Sequence, residues 1–118
     1  MQTLVRTRRS STGTVVVQVR GHIGAKATVP LRRALLSAIG HGTPTGHSAP
    51  SRLLLDLRFV EVLAPEGVGT LVAGCDVAGD RRIAVTVRMP LAATVVARRL
   101  QAAGIAGRCT VATALRVP

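Results

Sequence analysis

Residues Asp56 to Gly69 read DLRFVEVLAPEGVG, and the fold turns on how this stretch is parsed. The apolar run Leu53-Leu54-Leu55 leads into Asp56-Leu57, the pattern of a central strand covered on both faces. That strand is expected over Arg52 to Leu57. A short loop follows, and Pro65-Glu66-Gly67 opens a helix. Proline suits the first helical position because it lacks an N–H that the helix would leave unbonded, and its φ is already helical. Val68, Leu71, Val72 and Cys75 then recur at helical spacing, so a helix with one inward stripe is expected over Pro65 to Val77.

The flanking segments continue the alternation. Leu4 to Arg9 reads as an edge strand, and Ser10 to Gly13 has turn chemistry. Thr14 to Ile23 places Val15, Val17 and Val19 on one face and Thr14, Gln18 and Arg20 on the other, the period of a half-buried strand. Gly21 and Gly24 interrupt it. Thr28 to Ile39 reads as a helix capped by Thr28, with Leu31, Leu35, Ala38 and Ile39 inward and Gly40 as its stop. His41 to Ser51 is a polar loop, expected to be the most mobile segment. Gly79-Asp80 reads as a turn, and Arg82 to Arg88 as a strand with Ile83, Val85 and Val87 inward. Pro90 opens a third helix, with Leu91, Val95, Val96 and Leu100 as its stripe and Gly104 as its stop. Cys109 to Val111 reads as a last short strand. The order ββαβαβαβ implies an α/β fold: a mixed, mostly parallel sheet packed with three or four helices. No repeat or composition break divides the chain, and residues 1–118 are read as a single domain.

Composition narrows the classes. The chain has 118 residues, 47% of them hydrophobic, and Phe59 is its only aromatic. Its core must therefore be built from Val, Leu, Ile and Ala. No apolar run approaches the ~20 residues of a membrane span, and the first residues lack a signal-peptide pattern. Cys75 and Cys109 make no disulfide framework. A cytoplasmic protein is expected, and the Arg-rich, Lys-poor composition points to a bacterial source. The formal charge is +11, which favours anionic partners. The arginines are spread over pairs such as Arg8-Arg9, Arg32-Arg33, Arg81-Arg82 and Arg98-Arg99. This reads as a dispersed, solvated charge.

The element order, the Leu53 to Leu57 run, Gly21-His22-Ile23 closing the second strand, Gly67-x-Gly69 at the helix start, and Met89-Pro90 with Gly104-Ile105 together resemble the STAS domain family. This is the fold of bacterial anti-sigma factor antagonists, and the resemblance runs along nearly the whole chain. In that family the central strand leads to a loop Asp-Ser-Ser-Gly-Leu-Gly, whose second Ser is phosphorylated by a partner kinase. The matching residues here are Ala64, Pro65, Glu66, Gly67, Val68 and Gly69. The phosphoacceptor is thus replaced by Glu66, and the family's acidic positions are occupied by Gly24 and Ala64. The resemblance implies a non-catalytic module that docks on an anti-sigma factor or a serine kinase of the anti-sigma type. Its partner surface would comprise Gly24, Leu63, Ala64, Pro65, Glu66, Gly67, Gly69 and Thr70.

Glu66 has two readings. A helix start carries partial positive charge, and a carboxylate in its first turn gains roughly 0.3–1 kcal/mol. It is then a partner of the helix dipole and nothing more. Alternatively it imitates phosphoserine, incompletely, because a phosphate brings more charge and one more oxygen. On either reading, phosphorylation at position 66 is lost, and Thr70 is the nearest hydroxyl.

Other chemistry finds little support. His22, His41 and His47 have no Cys or carboxylate at ligand spacing, so no metal or cofactor is expected. Asp56, within a strand, is assigned a structural duty. Catalysis by paired carboxylates would need Glu61 and Glu66, or Asp76 and Asp80, to converge in a cleft; Asp76 and Asp80 read as solvated surface. Gly67-Val68-Gly69 lacks the Lys and spacing of a P-loop. Cys75, on an apolar stripe, reads as a buried and inert thiol, and Cys109 likewise. Two alternatives remain: a scaffold subunit of a stress-sensing or lipid-transport assembly, and a basic nucleic-acid-binding protein. For the latter, Arg8, Arg9, Arg32 and Arg33 would supply phosphate contacts, with weak, non-specific binding expected because aromatic stacking partners are scarce. Monomer and dimer are both compatible with the sequence.

Overall fold

The computed structural model describes residues 3–10, 13–40, 50–91 and 94–112. The loop expected over His41 to Ser51 falls outside them as far as residue 49, as do residues 11–12 of the first turn. Strand β1 (Thr3–Arg9) pairs antiparallel with β2 (Thr14–Ile23); β3 (Arg52–Leu63), β4 (Ala84–Arg88) and β5 (Thr110–Ala112) then add in parallel, in the order β1-β2-β3-β4-β5. Helices α1 (Thr28–Ala38), α2 (Pro65–Asp80) and α3 (Val95–Ala102) connect the parallel strands. Each crossover joins neighbouring strands and steps in the same direction. The right-handed rule then places all three helices on one side. Burial agrees: Val15, Val17, Val19, Leu53, Leu55, Leu57, Val85 and Val87 are buried in one core with Leu31, Leu35, Leu71 and Leu100, whereas Val16, Gln18, Leu54 and Thr86 are only half-buried. The expected sheet and helix order is what the structure has.

The boundaries differ where local chemistry overrides the simple periods. Strand β3 does not stop at Leu57 but continues to Leu63. Its register against β2 slips twice, between Gln18 and Arg20 and between Gly21 and His22. Each slip adds a residue to β3, so Arg58-Phe59 and Glu61-Val62 are exposed in pairs while Val60 and Leu63 are buried. Bulges of this kind break the two-residue alternation that marks a strand.

Helix α2 runs three residues beyond Val77, and Gly79-Asp80 is its last turn rather than a loop. The chain reverses instead at Arg81-Arg82. Arg82 N–H bonds the Gly79 carbonyl at 2.9 Å, and Ile83 N–H bonds the Ala78 carbonyl at 2.9 Å, which is a Schellman ending. Arg82 holds φ +62°, where glycine is the usual residue. Strand β4 then starts at Ala84, two residues after the expected Arg82.

Thr28 does not cap α1. Ala27 holds the cap position after a 3-10 turn at Ala25–Ala27, and the Thr28 hydroxyl donates to the Ala25 carbonyl at 2.8 Å. Helix α3 begins at Val95, not Pro90. Its cap is Thr94, whose Oγ1 accepts from Ala97 N–H at 3.2 Å. Leu91 and Val95 are consequently 64% and 61% exposed and do not join the inward stripe, which is Val96, Ala97 and Leu100. Strand β5 sits one residue later than expected. The stops at Gly40 and Gly104, with φ +83° and +77°, are as the sequence suggests.

Candidate functional site

Strands β2 and β3 run parallel, with Ile23 beside Leu63. Their next residues, Gly24 and Ala64, therefore leave the sheet side by side, and the Ala64 N–H bonds the Ile23 carbonyl at 2.8 Å. This is the carboxyl edge of the parallel strands, from which the strand-to-helix connections leave. Helix α2 starts there. Ala64 is its cap and offers no side-chain acceptor, and Pro65 fills the first position. Gly67 is required by close approach: a Cβ would lie 2.7 Å from Ile23 Cγ2 and 2.8 Å from Leu63 Cδ1, both on buried side chains. The helix start is thereby pressed onto the ends of β2 and β3.

The eight residues singled out from the sequence do not share one exposure. Pro65, Glu66 and Gly69 are exposed; Gly24, Ala64 and Thr70 are half-buried; Leu63 and Gly67 are buried. Leu63 and Gly67 thus hold the helix start in place and offer no side chain to a partner. Thr70 donates its hydroxyl to the Glu66 carbonyl at 2.9 Å, within its own helix. Glu66 and Gly69 line a groove of about 340 Å³ between α1 and α2, whose other walls include Arg32, Leu36, Thr70 and Ala73. The helices approach closely there, because Gly74 would place a Cβ 2.9 Å from Leu35 Cδ1.

Two features were missed in the sequence. Arg99, on α3, donates from Nη1 to the Leu63 carbonyl at 3.3 Å and brings a guanidinium to the start of α2. Nothing local marks this contact, which spans 36 positions. The second is a set of exposed apolar side chains at the same carboxyl edge: Val29 (61%), Val62 (45%), Leu91 and Val95. Each belongs to a strand-to-helix connection, or its immediate flank, at that edge. The late start of α3 is what releases Leu91 and Val95 to the surface.

Asp56, Cys75, Cys109 and Asp76 make structural contacts. Asp56 is 4% exposed and accepts from Arg58 N–H, Nε and Nη2 at 3.1, 3.0 and 3.0 Å and from Gln18 Nε2 at 3.3 Å. Burial alone would raise its pKa, but the hydrogen bonds from Arg58 and Gln18 and the Arg58 charge outweigh it and hold the carboxyl below its ordinary value. Cys75 is buried, and desolvation together with the neighbouring Cys109 pushes its thiol up to about 12. The Cys109 thiol is also raised by burial. Asp76, expected as free surface, is exposed but paired with Arg108. Among the described residues no cluster of three or more His, Cys, Asp or Glu could hold a metal ion, and no helix is long and apolar enough to cross a membrane. His41 and His47 lie outside the described residues.

No protein-family model and no curated protein matches the chain. Solved structures do. An anti-sigma factor antagonist from Mycobacterium paratuberculosis superposes with a TM-score of 0.75 at 22% identity, over 93% of this chain and 85% of that one. The anti-sigma factor antagonist SpoIIAA in its unphosphorylated form gives 0.68 at 13% identity, over 95% and 90%. The Bacillus cell fate determinant SpoIIAA in its phosphorylated form gives 0.67 at 17% identity, over 94% and 93%. Strand order, crossovers and the helix that starts at Pro65 thus add up to the STAS fold, the architecture of the anti-sigma factor antagonists.

Proposed function

We propose that the protein is a non-catalytic docking module of the anti-sigma factor antagonist type, acting on an anti-sigma factor or a serine kinase of that class. The observation that supports this reading most is the exposed Glu66 at the start of α2, set at an edge that also exposes Val29, Val62, Leu91 and Val95. A charged side chain beside exposed apolar ones suits recognition by another protein surface.

In this reading Glu66 supplies permanently the negative charge that a kinase would add to a serine. It carries less charge and fewer acceptors than a phosphate, so the imitation is partial. Binding would be set by the presence of the partner rather than by phosphorylation at this position. Titration calorimetry of wild type, Glu66→Ser and Glu66→Ala against a candidate anti-sigma kinase tests it. A change of about tenfold or more in Kd for both variants, equivalent to about 1.4 kcal/mol, is expected. Equal affinity of all three would leave Glu66 as a helix-dipole residue and remove it from the partner surface.

A further inference from the structure

Among the described residues, the three helices cover one face of the sheet and no element covers the other. The register brings onto that open face residues far apart in sequence. Arg6 pairs with Gln18, Gln18 with Asp56, and Asp56 with Arg88, in one row across four strands. The next row carries Arg8, Val16, Leu54 and Thr86. At strand spacings of about 4.8 Å, Arg6 and Arg88 stand about 14 Å apart across the sheet, and Arg6 and Arg8 about 7 Å apart along β1. All of these except Thr86 line, together with Arg58, a groove of about 340 Å³ whose only acidic side chain among the described residues is Asp56. That carboxylate is already committed to Arg58 and Gln18. Arg6, Arg8 and Arg88 are exposed and face no other carboxylate in the groove.

We infer that this open face binds the phosphate backbone of single-stranded nucleic acid. The inference is independent of the docking edge, which lies at the carboxyl ends of the strands. Four observations favour this occupant. The cations are guanidiniums, whose planar fork matches phosphate oxygens; Lys26 is the sole lysine among 16 basic residues. Half-buried Val16 and Leu54 form an apolar floor between them, on which the flat face of an unpaired base can lie. Phe59, 46% exposed, extends the face with Arg20 and Arg58 stacked 5.2 and 5.1 Å from its ring centre. A chain with a net charge of +11 also draws a polymer of dense negative charge more strongly than a sparsely charged one.

The test is fluorescence anisotropy of the full chain with labelled single-stranded RNA and DNA of about twelve nucleotides, at about 50 and 200 mM chloride salt. Arg6→Ala/Arg8→Ala/Arg88→Ala is compared with Arg32→Ala/Arg33→Ala/Arg98→Ala, which removes equal charge from the helical side and includes Arg32 and Arg33, the α1 pair expected from sequence to contact phosphate but placed by the fold away from the open-face groove. The open-face variant should bind about tenfold more weakly or worse, with a salt slope lower by about 2 for three lost phosphate contacts. The helical-side variant should stay within about threefold of wild type. Melting followed by circular dichroism verifies folding. The triple Arg-to-Lys variant at positions 6, 8 and 88 keeps the charge and gives a second reading: it should bind more weakly than wild type by losing the planar fork. Equal losses in both alanine variants would overturn the inference and leave only net charge. Undetectable binding by wild type at the lower salt, or an oligoglutamate of the same length that binds as tightly as the nucleic acid, would overturn it too.

Discussion

Asp56 shows how one residue serves a face it does not define. Its position between Leu55 and Leu57 gives it a strand environment, and the bulge that follows folds Arg58 back over it. A buried carboxylate tolerates this place only when its oxygens are bonded. Its pKa is lower folded than unfolded, so its contribution to stability is fully present above the unfolded value of about 3.9 and is lost as pH falls through the folded one. Asp56→Asn should therefore cost about 1 kcal/mol near neutral pH, discounted for the exposed side of Arg58. The deficit should shrink below about pH 4. Urea melts of both proteins between neutral and acidic pH measure this; a deficit unchanged down to the acid limb would mean the charge of Asp56 is immaterial. That Asp56 has a structural duty was legible from its strand setting. That its partner is Arg58, two residues on, was not, because two residues on a regular strand share a face too far apart for this bidentate contact.

Element ends separate what pattern conveys from what geometry decides. The stripes of α1 and α2 were readable because their apolar positions follow the helical period and the core accepts them, as Leu31, Leu35, Leu71 and Cys75 show. The end of α2 was not, because the residue in the left-handed conformation is Arg82 rather than glycine. A side chain there costs roughly 1 kcal/mol, which the Schellman hydrogen bonds and buried Ile83 offset. Arg82→Gly should accordingly stabilise the protein by about 0.5–1 kcal/mol. Thermal melting would register this as a rise of about 2–6 °C; a fall would show that the Arg82 side chain makes contacts worth more than the strain. Strand β3 makes the same point in a sheet. Its second half carries no strand period in the sequence because two bulges replace alternation by exposed pairs. The start of α3 was misplaced because Pro90 is an acceptable first residue, while Thr94 supplies a hydroxyl in place.

At the scale of the molecule, only 5 acidic residues oppose 16 basic ones. Two of the five, Asp56 and Asp76, are held in ion pairs. The excess positive charge repels itself, and the repulsion is screened over about 10 Å at 0.1 M salt. Raising sodium chloride from about 20 to 300 mM should therefore raise the melting temperature, while the same change weakens any binding of nucleic acid to the open face. Scanning fluorimetry with an added hydrophobic dye reads the first effect, since the chain has no Trp or Tyr. A melting temperature that falls with salt would mean favourable ion pairs dominate. The carboxyl-edge surface and the open-face arginines both exist only at this scale.

Sequence alone determined the alternation of strands and helices, most of the core, and the glutamate at the first turn of α2. Periodicity and turn chemistry are local, and they act over a few residues. Which arginines stand together was decided by the tertiary structure. Arg8 and Arg9 are neighbours in the chain, yet Arg8 joins the open face while Arg9 reaches the Ser37 carbonyl at the end of α1. Arg6 and Arg88 are far apart in the chain, yet strand register sets them in one row. Alternation of side chains across a strand separates adjacent charges, and hydrogen-bonded pairing of distant strands gathers remote ones.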